Sequence, residues 1–508
     1  MLFNTYIWGL YTQSDQGQAN IEKFSTISSE MLEEQFGLGE YFWQLDGDDE
    51  QFWGTNELRF NLSSLIEAFA AKREINDWET ARRLYGELLE AGIPLLHTNT
   101  AGVELGFFCW GKAGGREADW VNIIEEMSFG LYLAHPDFFL PYLFQNKFYQ
   151  FQKLCEAYAI PLPPVPGKRD MKARIFYYLQ INQALQEFRQ LRCLSPAEMC
   201  AFLYDFALNA LMKQDAELPE PSKVWLIAGG TGENGDFDFL DTCTADSISH
   251  WQGNIDTRRG DILLMYCVSP RSYIHSIWRA TTDGFYDPFF FYHTTIWIGS
   301  PSKTVPVTFK EMKEHPLLSQ KGAIRSHFQG ASGKAFTVQE YQSILEIMAN
   351  KGQDITLLPV IRRTTFLPDV ELLSERDVEL KLIEPFLRRI GYTETDWIRQ
   401  MPVSMGRGER NYPDYVFSAE TKKGEEKARM LIESKFHIRT RRELTDAYCQ
   451  AKSYALRLQA EIMAVAAVEG FWIYKDKNGF SMDNIFYKDW KELEDPDILR
   501  EVQKLLGK

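Results

Sequence analysis

NYPDYVF (residues 411–417) and ARMLIESKF (428–436) are the two stretches on which the reading of this chain turns. Each is a short run rich in apolar and aromatic residues, and a polar turn, SAETKKGEEK (418–427), joins them. Successive side chains of a strand point to opposite faces, so Glu433 and Lys435 share a face. If the two runs pair as neighbours, Asp414 joins them at one place. Two carboxylates so placed suit a hard divalent cation that takes oxygen ligands and keeps several waters. The lysine can orient or help deprotonate an attacking water, or offset charge on a pentavalent phosphate. Together these are the parts of phosphodiester hydrolysis with a metal as Lewis acid and template.

Working outward, residues 368–508 alternate helix and strand. VELLSERDVELKLIEPFLRRIGY (370–392) and RRELTDAYCQAKSYALRLQA (441–460) are predicted helices, and IMAVAAVEGFWIYKD (462–476) is a strand, a turn and a strand. Such alternation implies a mixed sheet with helices packed on it. In this order the segment resembles the PD-(D/E)xK nuclease superfamily, with Asp414 and Glu433 separated by 19 positions. Glu384 lies on the preceding helix, where members of the family often carry an extra acidic ligand. Gln450 and Tyr454 look like the Q-xxx-Y motif of the RecB-like and type I restriction nuclease domains, and positions i and i+4 share a helix face. The resemblance implies catalytic roles for Asp414, Glu433, Lys435, Gln450 and Tyr454. It also implies Mg2+ (with Mn2+ able to substitute) held by Asp414, Glu433 and Glu384.

Local charge agrees with a nucleic-acid substrate. From Arg407 to Gln459 there are 12 Lys/Arg and 8 Asp/Glu, a balance of +4 within a chain of net charge −16. Arg407, Arg410, Arg439, Arg441 and Arg442 flank the candidate site and suit phosphate contacts, which fix register without reading sequence. The overall acidity argues against a protein that coats nucleic acid non-specifically.

Residues 222–348 change character. Short β-like runs, KVWLIAGG (223–230), GDILLMYCVS (260–269), SYIHSIWRATTDG (272–284) and FFFYHTTIWIG (289–299), are separated by Gly, Pro and Asp. This is the pattern of a small, twisted or barrel-like β domain. With SHWQGNIDTRRGD (249–261) and HPLLSQKGAIRSHFQGASGK (315–334), it resembles the EVE/PUA-like domains. The resemblance implies a pocket for one flipped nucleobase, which needs aromatic faces and edge hydrogen bonds. Trp225, Trp251, Tyr266, Trp278, Tyr292 and Trp297 can supply faces, and Asn254, Asp261, Ser269 and His327 edges. Trp251 and Trp278, with Asn254 and Tyr266, are the preferred base-binding candidates.

Residues 1–218 read as mainly helical, with Ser195 and Glu198 as a capping box and a linker near QDAELPEPSK (214–223). Nothing at the start resembles a signal peptide, and no apolar run is long enough to span a membrane. The 7 Cys lack CxxC spacing, which fits a reducing cytosol and argues against zinc ribbons. GASGKAF (330–336) lacks the pattern of a P-loop, so any motor belongs to another chain.

The expected fold is therefore multidomain α+β: a helical domain (1–218) for assembly or partner contact, a small PUA-like β-barrel (222–348), and a restriction-endonuclease-like α/β domain (368–508). The expected function is a metal-dependent endonuclease of a bacterial restriction or anti-phage defence type, cytoplasmic, and directed to modified DNA. A homodimer or larger assembly is expected because cutting both strands needs two sites. The alternatives are an RNA nuclease and a non-catalytic modified-base binding protein.

Overall fold

The computed structural model describes residues 3–38, 40–43, 58–91, 95–98, 104–108, 117–211, 217–230, 235–328, 330, 332–362, 372–406, 409–422, 424–476 and 479–507. The protein is a mixed α/β molecule of two compact units. One comprises residues 1–219, 225–335 and 347–355, and the other 220–224, 336–346 and 356–508. Among the described residues no helix is long and apolar enough to cross a membrane.

The first unit opens with helices and a four-stranded antiparallel sheet. The strands β1 (Glu40–Trp43), β2 (Leu58–Asn61), β3 (Leu95–Thr98) and β4 (Glu104–Phe108) run in the order β2-β1-β3-β4. This sheet is absent from the mainly helical expectation for residues 1–218. Strands of four or five residues span too few side-chain alternations to register as a period. The helices carry the core: Tyr85, Phe139, Phe144, Tyr177 and Tyr178 are almost fully buried. Met171–Leu191 starts at Asp170, whose carboxylate accepts the Ala173 N–H, and Pro196–Ala201 starts at the Ser195/Glu198 capping box.

The strand-rich segment belongs to the same unit. Its strands are β5 (Val224–Gly229), β6 (Ser249–Gln252), β7 (Ile262–Cys267), β8 (Tyr273–Ala280), β9 (Phe285–Tyr286), β10 (Thr294–Thr308) and β11 (Lys334–Phe336). They form one sheet ordered β11-β5-β7-β8-β10-β6, with β9 on β10. β10 pairs with β9 and β6 over Thr294–Ile298 and with β8 over Ile298–Thr308, and two register shifts, after Gly299 and after Lys303, interrupt its pairing with β8. Phe285 and Phe289 enter the aromatic core of the helical segment. Arg174, fully buried, donates to the Pro288 carbonyl at 2.8 Å, and Trp297 Nε1 donates to the Asn146 carbonyl at 2.6 Å.

The second unit is built on a six-stranded sheet: β12 (Trp397–Arg399), β15 (Tyr415–Phe417), β16 (Met430–Ser434), β17 (Ile462–Ala467), β18 (Gly470–Lys475) and β19 (Ile485–Lys488), in that order. β13 (Val403–Gly406) and β14 (Glu409–Asn411) form a separate hairpin. Among the described strands of this sheet only β16 and β17 pair in parallel, with Glu433 opposite Val465, and the helix Arg441–Leu458 makes the crossover between them. That helix begins at a Thr440/Glu443 capping box and ends at Gln459, whose φ of 55° closes it. Period-two alternation sorts the sheet residues. Leu431, Met463, Val465 and Trp472 pack on the Arg441–Leu458 helix, against Ala447, Ala451 and Ala455. Met430, Ile432, Ala464 and Ile473 pack on the other face, against Leu382, Phe386, Val502 and Leu506. The sheet is thus covered on both faces, which is why its central strands are buried throughout.

Candidate active site at the end of β15 and β16

Asp414 sits one residue before β15, and Ser434 closes β16. Asp414 Oδ2 accepts two hydrogen bonds from Ser434, from its N–H and its hydroxyl, both at 2.8 Å. The Ser434 hydroxyl also lies 3.2 Å from Glu379 Oε1 and 3.5 Å from Glu375 Oε1. One proton cannot serve three carboxylates, so the serine bridges a cluster of negative charge without neutralising it. Ligand oxygens of Glu375, Glu379 and Asp414 all lie within 4.8 Å of one another. Burial and the Asp414 charge hold the Glu379 carboxyl above its ordinary value, against the Ser434 hydrogen bond and the Arg376 charge.

Glu433 and Lys435 stand on the opposite face of β16 from Ser434. Lys435 Nζ lies 2.9 Å from Glu433 Oε1 and donates to the Ser434 carbonyl at 2.8 Å. Glu433 is 2% exposed. Its second oxygen, Oε2, is buried with no hydrogen-bond partner among the described residues. Burial, followed by the Asp414 charge, pushes the Glu433 carboxyl up to about 7, although Lys435 pulls the other way. Burial tends to lower the Lys435 ammonium, but the Glu433 charge and hydrogen bond outweigh it and raise the net value. An all-oxygen donor set, mutual repulsion among acids and an unsatisfied buried carboxylate oxygen fit a hard divalent cation.

The helix before the hairpin presents a different acid from the one expected. Glu384 Oε2 takes Arg388 at 3.0 Å, and Oε1 takes Arg399 at 2.9 Å and the Tyr415 hydroxyl at 3.3 Å. It is committed to ion pairs and stands outside the carboxylate cluster, where Glu375 and Glu379 stand instead. The cause is local. The helical run consists of Glu375–Val378, a π-helical turn Glu379–Ile383, and Glu384–Arg389. Pro385 has no N–H for the Lys381 carbonyl, and its ring crowds that carbonyl in a regular helix. The wider turn, in which Glu384 N–H reaches the Glu379 carbonyl, leads into it. Arg399 then joins Glu379 to Glu384 by ion pairs to both. Glu375 and Glu379 are one helical turn apart, and that spacing was the available signal for them.

Gln450 and Tyr454 share a face of the Arg441–Leu458 helix, with Gln450 Nε2 3.3 Å from the Tyr454 hydroxyl. Tyr454 is buried in the core beneath that helix. Arg410, Arg439, Arg441 and Arg442 are exposed, and Arg407 lies outside the described residues. Arg439 is held in a chain: Glu469 Oε1 accepts from His437 Nδ1 at 2.8 Å, and His437 Nε2 stands 2.9 Å from an Arg439 nitrogen. Glu469 also accepts the Ile438 N–H at 2.8 Å.

The four base-binding candidates do not line one open pocket. Trp278 is fully buried, donates to Ser276 Oγ at 2.9 Å and stacks on Phe239. It belongs to the core and has no face left for a base. Tyr266, 4% exposed, packs on Phe328 at 4.2 Å between ring centres and stands outside the Trp278 cluster. Asn254 spends its amide on the Gly333 carbonyl and the Asp256 N–H. Trp251 remains half-buried against Phe239, with Nε1 bonded to the Ala228 carbonyl at 2.9 Å. Large aromatics fill a small β domain before they can decorate it.

Comparison with known proteins adds little. No family model matches the chain, and no curated protein matches it. Among solved structures, the NMR structure of Rpa0253 from Rhodopseudomonas palustris is similar over 25% of this chain and 94% of its own, at 17% identity and a TM-score of 0.21. A likeness of that size bears on neither fold nor chemistry.

Proposed function

We propose that residues 368–508 form a PD-(D/E)xK-type nuclease domain and that the chain is a metal-dependent endodeoxyribonuclease of a bacterial restriction or anti-phage kind. The observation that carries this reading is the cluster of Asp414, Glu375 and Glu379 at the end of β15 and β16, with the Glu433–Lys435 pair beside it and the Glu433 carboxyl raised by burial and by the Asp414 and Glu375 charges. The parallel β16–β17 pair, crossed by the helix with Gln450 and Tyr454, agrees with it.

In this reading Asp414 and Glu433 hold Mg2+, with Glu379 and Glu375 taking the part expected of Glu384. A bound divalent cation supplies Lewis acidity at the scissile phosphate and lowers the pKa of a ligated water. Lys435, held by Glu433, orients the attacking water and offsets charge on the phosphate. Ser434 fixes the Asp414 carboxylate. Arg439, Arg441 and Arg442 are exposed where the chain leaves β16 for its crossover helix, and their role is to hold backbone phosphates.

The strand-rich segment 222–348 is assigned the contact with marked DNA, as an EVE/PUA-like sensor, with Trp251 the remaining candidate of the original four. Tethering raises the effective concentration of nuclease at a marked site.

The test is cleavage of unmodified, methylated and hydroxymethylated plasmid and phage DNA with Mg2+ or Mn2+, beside D414A/K435A. Cutting confined to modified DNA and lost in the double variant supports both parts. Cutting of all DNA keeps the nuclease and removes the sensor. Cutting of RNA alone moves the assignment to an RNA nuclease.

A further inference from the structure

The segment FYDPFFFYH (285–293) projects aromatic rings from the first unit that the proposed chemistry does not use. Phe291 and Tyr292 are 49% and 44% exposed, and Tyr286 is 44% exposed. Three large rings in one short segment are costly to leave in water without a use. Their backbone is not loose. Arg174, buried, donates to the Pro288 and Phe290 carbonyls, and His293 is bonded to the Pro166 carbonyl at 2.8 Å. The rings continue one another: Phe291 meets Tyr292 edge-on at 5.0 Å, Tyr292 meets Phe290 at 5.7 Å, and Phe290 meets His250 at 5.6 Å. His250 in turn meets Trp297 at 5.9 Å, so the path reaches the β10 surface.

Cations stand at both ends of this path. Lys147 is exposed, with its ammonium 5.8 Å from the Trp297 ring. At the other end are Lys168 and Arg169, both exposed. Lys168 follows by two residues Pro166, whose carbonyl bonds His293, and its charge joins burial and Arg174 in disfavouring His293 protonation against that hydrogen bond. Asp170, the nearest acid in sequence, has its carboxylate turned into the start of Met171–Leu191. A cation–aromatic–cation track on a chain of net charge −16 is the complement of a polyanion that carries flat, stackable rings.

We propose that Phe291, Tyr292 and the ring path to Trp297, flanked by Lys147 and Lys168, bind an unpaired stretch of DNA by stacking its bases and pairing its phosphates. The assignment rests on the reading of the chain as one that acts on DNA, and adds where and in what form the DNA is held. An apolar protein partner would gain from the rings and nothing from the cations at their ends.

The experiment is equilibrium binding of a labelled oligothymidylate of about 12 nucleotides to the full chain. A blunt duplex of equal length and an oligouridylate are the comparisons, and salt is varied. Wild type is expected to bind the single strand more tightly than the duplex. F291A/Y292A is expected to weaken it by roughly 10–100-fold, with F291W/Y292W restoring it. K147E/K168E is expected to weaken binding and lower the salt slope by about 1–2. Because all four side chains lie at the surface, unchanged thermal unfolding separates lost binding from lost folding. Single-strand binding that none of these variants moves, binding confined to RNA, or no binding of either nucleic acid overturns the proposal. Patch-dependent binding by a chain that cuts no DNA supports it and removes the nuclease reading alone. Cutting that survives with no patch-dependent binding does the reverse.

Discussion

Lys435 Nζ lies 2.9 Å from Glu433 Oε1, while the other oxygen of that carboxylate is buried and meets no hydrogen-bond donor among the described residues. The pair is therefore half-satisfied. A lysine holds one oxygen, and the second is left for a ligand that the described residues do not supply. A buried ionised oxygen without a partner is costly, so the arrangement favours either a proton or a cation at Glu433.

That competition predicts the pH dependence of stability. With the Glu433 carboxyl pushed up to about 7 from an ordinary 4.5, the folded state holds its proton more tightly than the unfolded chain. The resulting stability is complete below the ordinary value and is lost as pH rises through 7. Without divalent cations, urea unfolding should show wild type losing about 1–3 kcal/mol across this window, and E433Q should flatten the loss. An unchanged slope in E433Q would remove Glu433 as its source.

Divalent cation should compete with the same proton. Calorimetric titration with Mg2+ is expected to show proton release and an apparent affinity that increases as pH rises through 7. D414A and E433Q should each weaken binding at least tenfold. Binding that is independent of pH and of both side chains would place the cation elsewhere.

Lys435→Ala leaves Glu433 buried and alone. Cleavage should fall by roughly 100–10,000-fold. Stability should fall by about 1–3 kcal/mol, more at pH above 7 than below, because a protonated Glu433 no longer needs the lysine. A larger loss on the acid side would contradict the pairing.

The two helix acids should separate cleanly. E379Q removes a member of the carboxylate cluster and is expected to abolish cutting. E384Q breaks contacts with Arg388, Arg399 and Tyr415, so it should lower the unfolding midpoint while keeping cutting within a few-fold of wild type at a permissive temperature. The reverse pattern would restore Glu384 to the site.

Ser434→Ala deletes the hydroxyl that bonds Asp414 and approaches Glu379. About a tenfold loss of cutting is expected, with S434T recovering part of it. Full activity in the alanine variant would make the bridge incidental.

That Glu433 and Lys435 share a strand face was legible in the sequence because strand periodicity is rigid. Two positions on from Glu433 is the same face, and their side chains do meet. Four strands of the sheet, β15 to β18, were legible for the same reason, since Leu431 and Val465 face one helix and Ile432 and Ala464 the other. The choice between Glu384 and Glu379 was not, because it depends on a π turn beside Pro385 that shifts the phase of the helix. Nor was the fate of the tryptophans: Trp278 and Trp251 have the same chemistry, and only three-dimensional packing buries one completely and leaves the other half open. What the sequence by itself determined is local and periodic: which residues share a strand face or a helix turn. What the tertiary structure alone decided is non-local. Arg399 claims Glu384, Ser434 bridges Asp414 and Glu379, and one Glu433 oxygen is left unpaired. Those outcomes follow from which side chains reach a given carboxylate first, and that competition spans elements far apart in the chain.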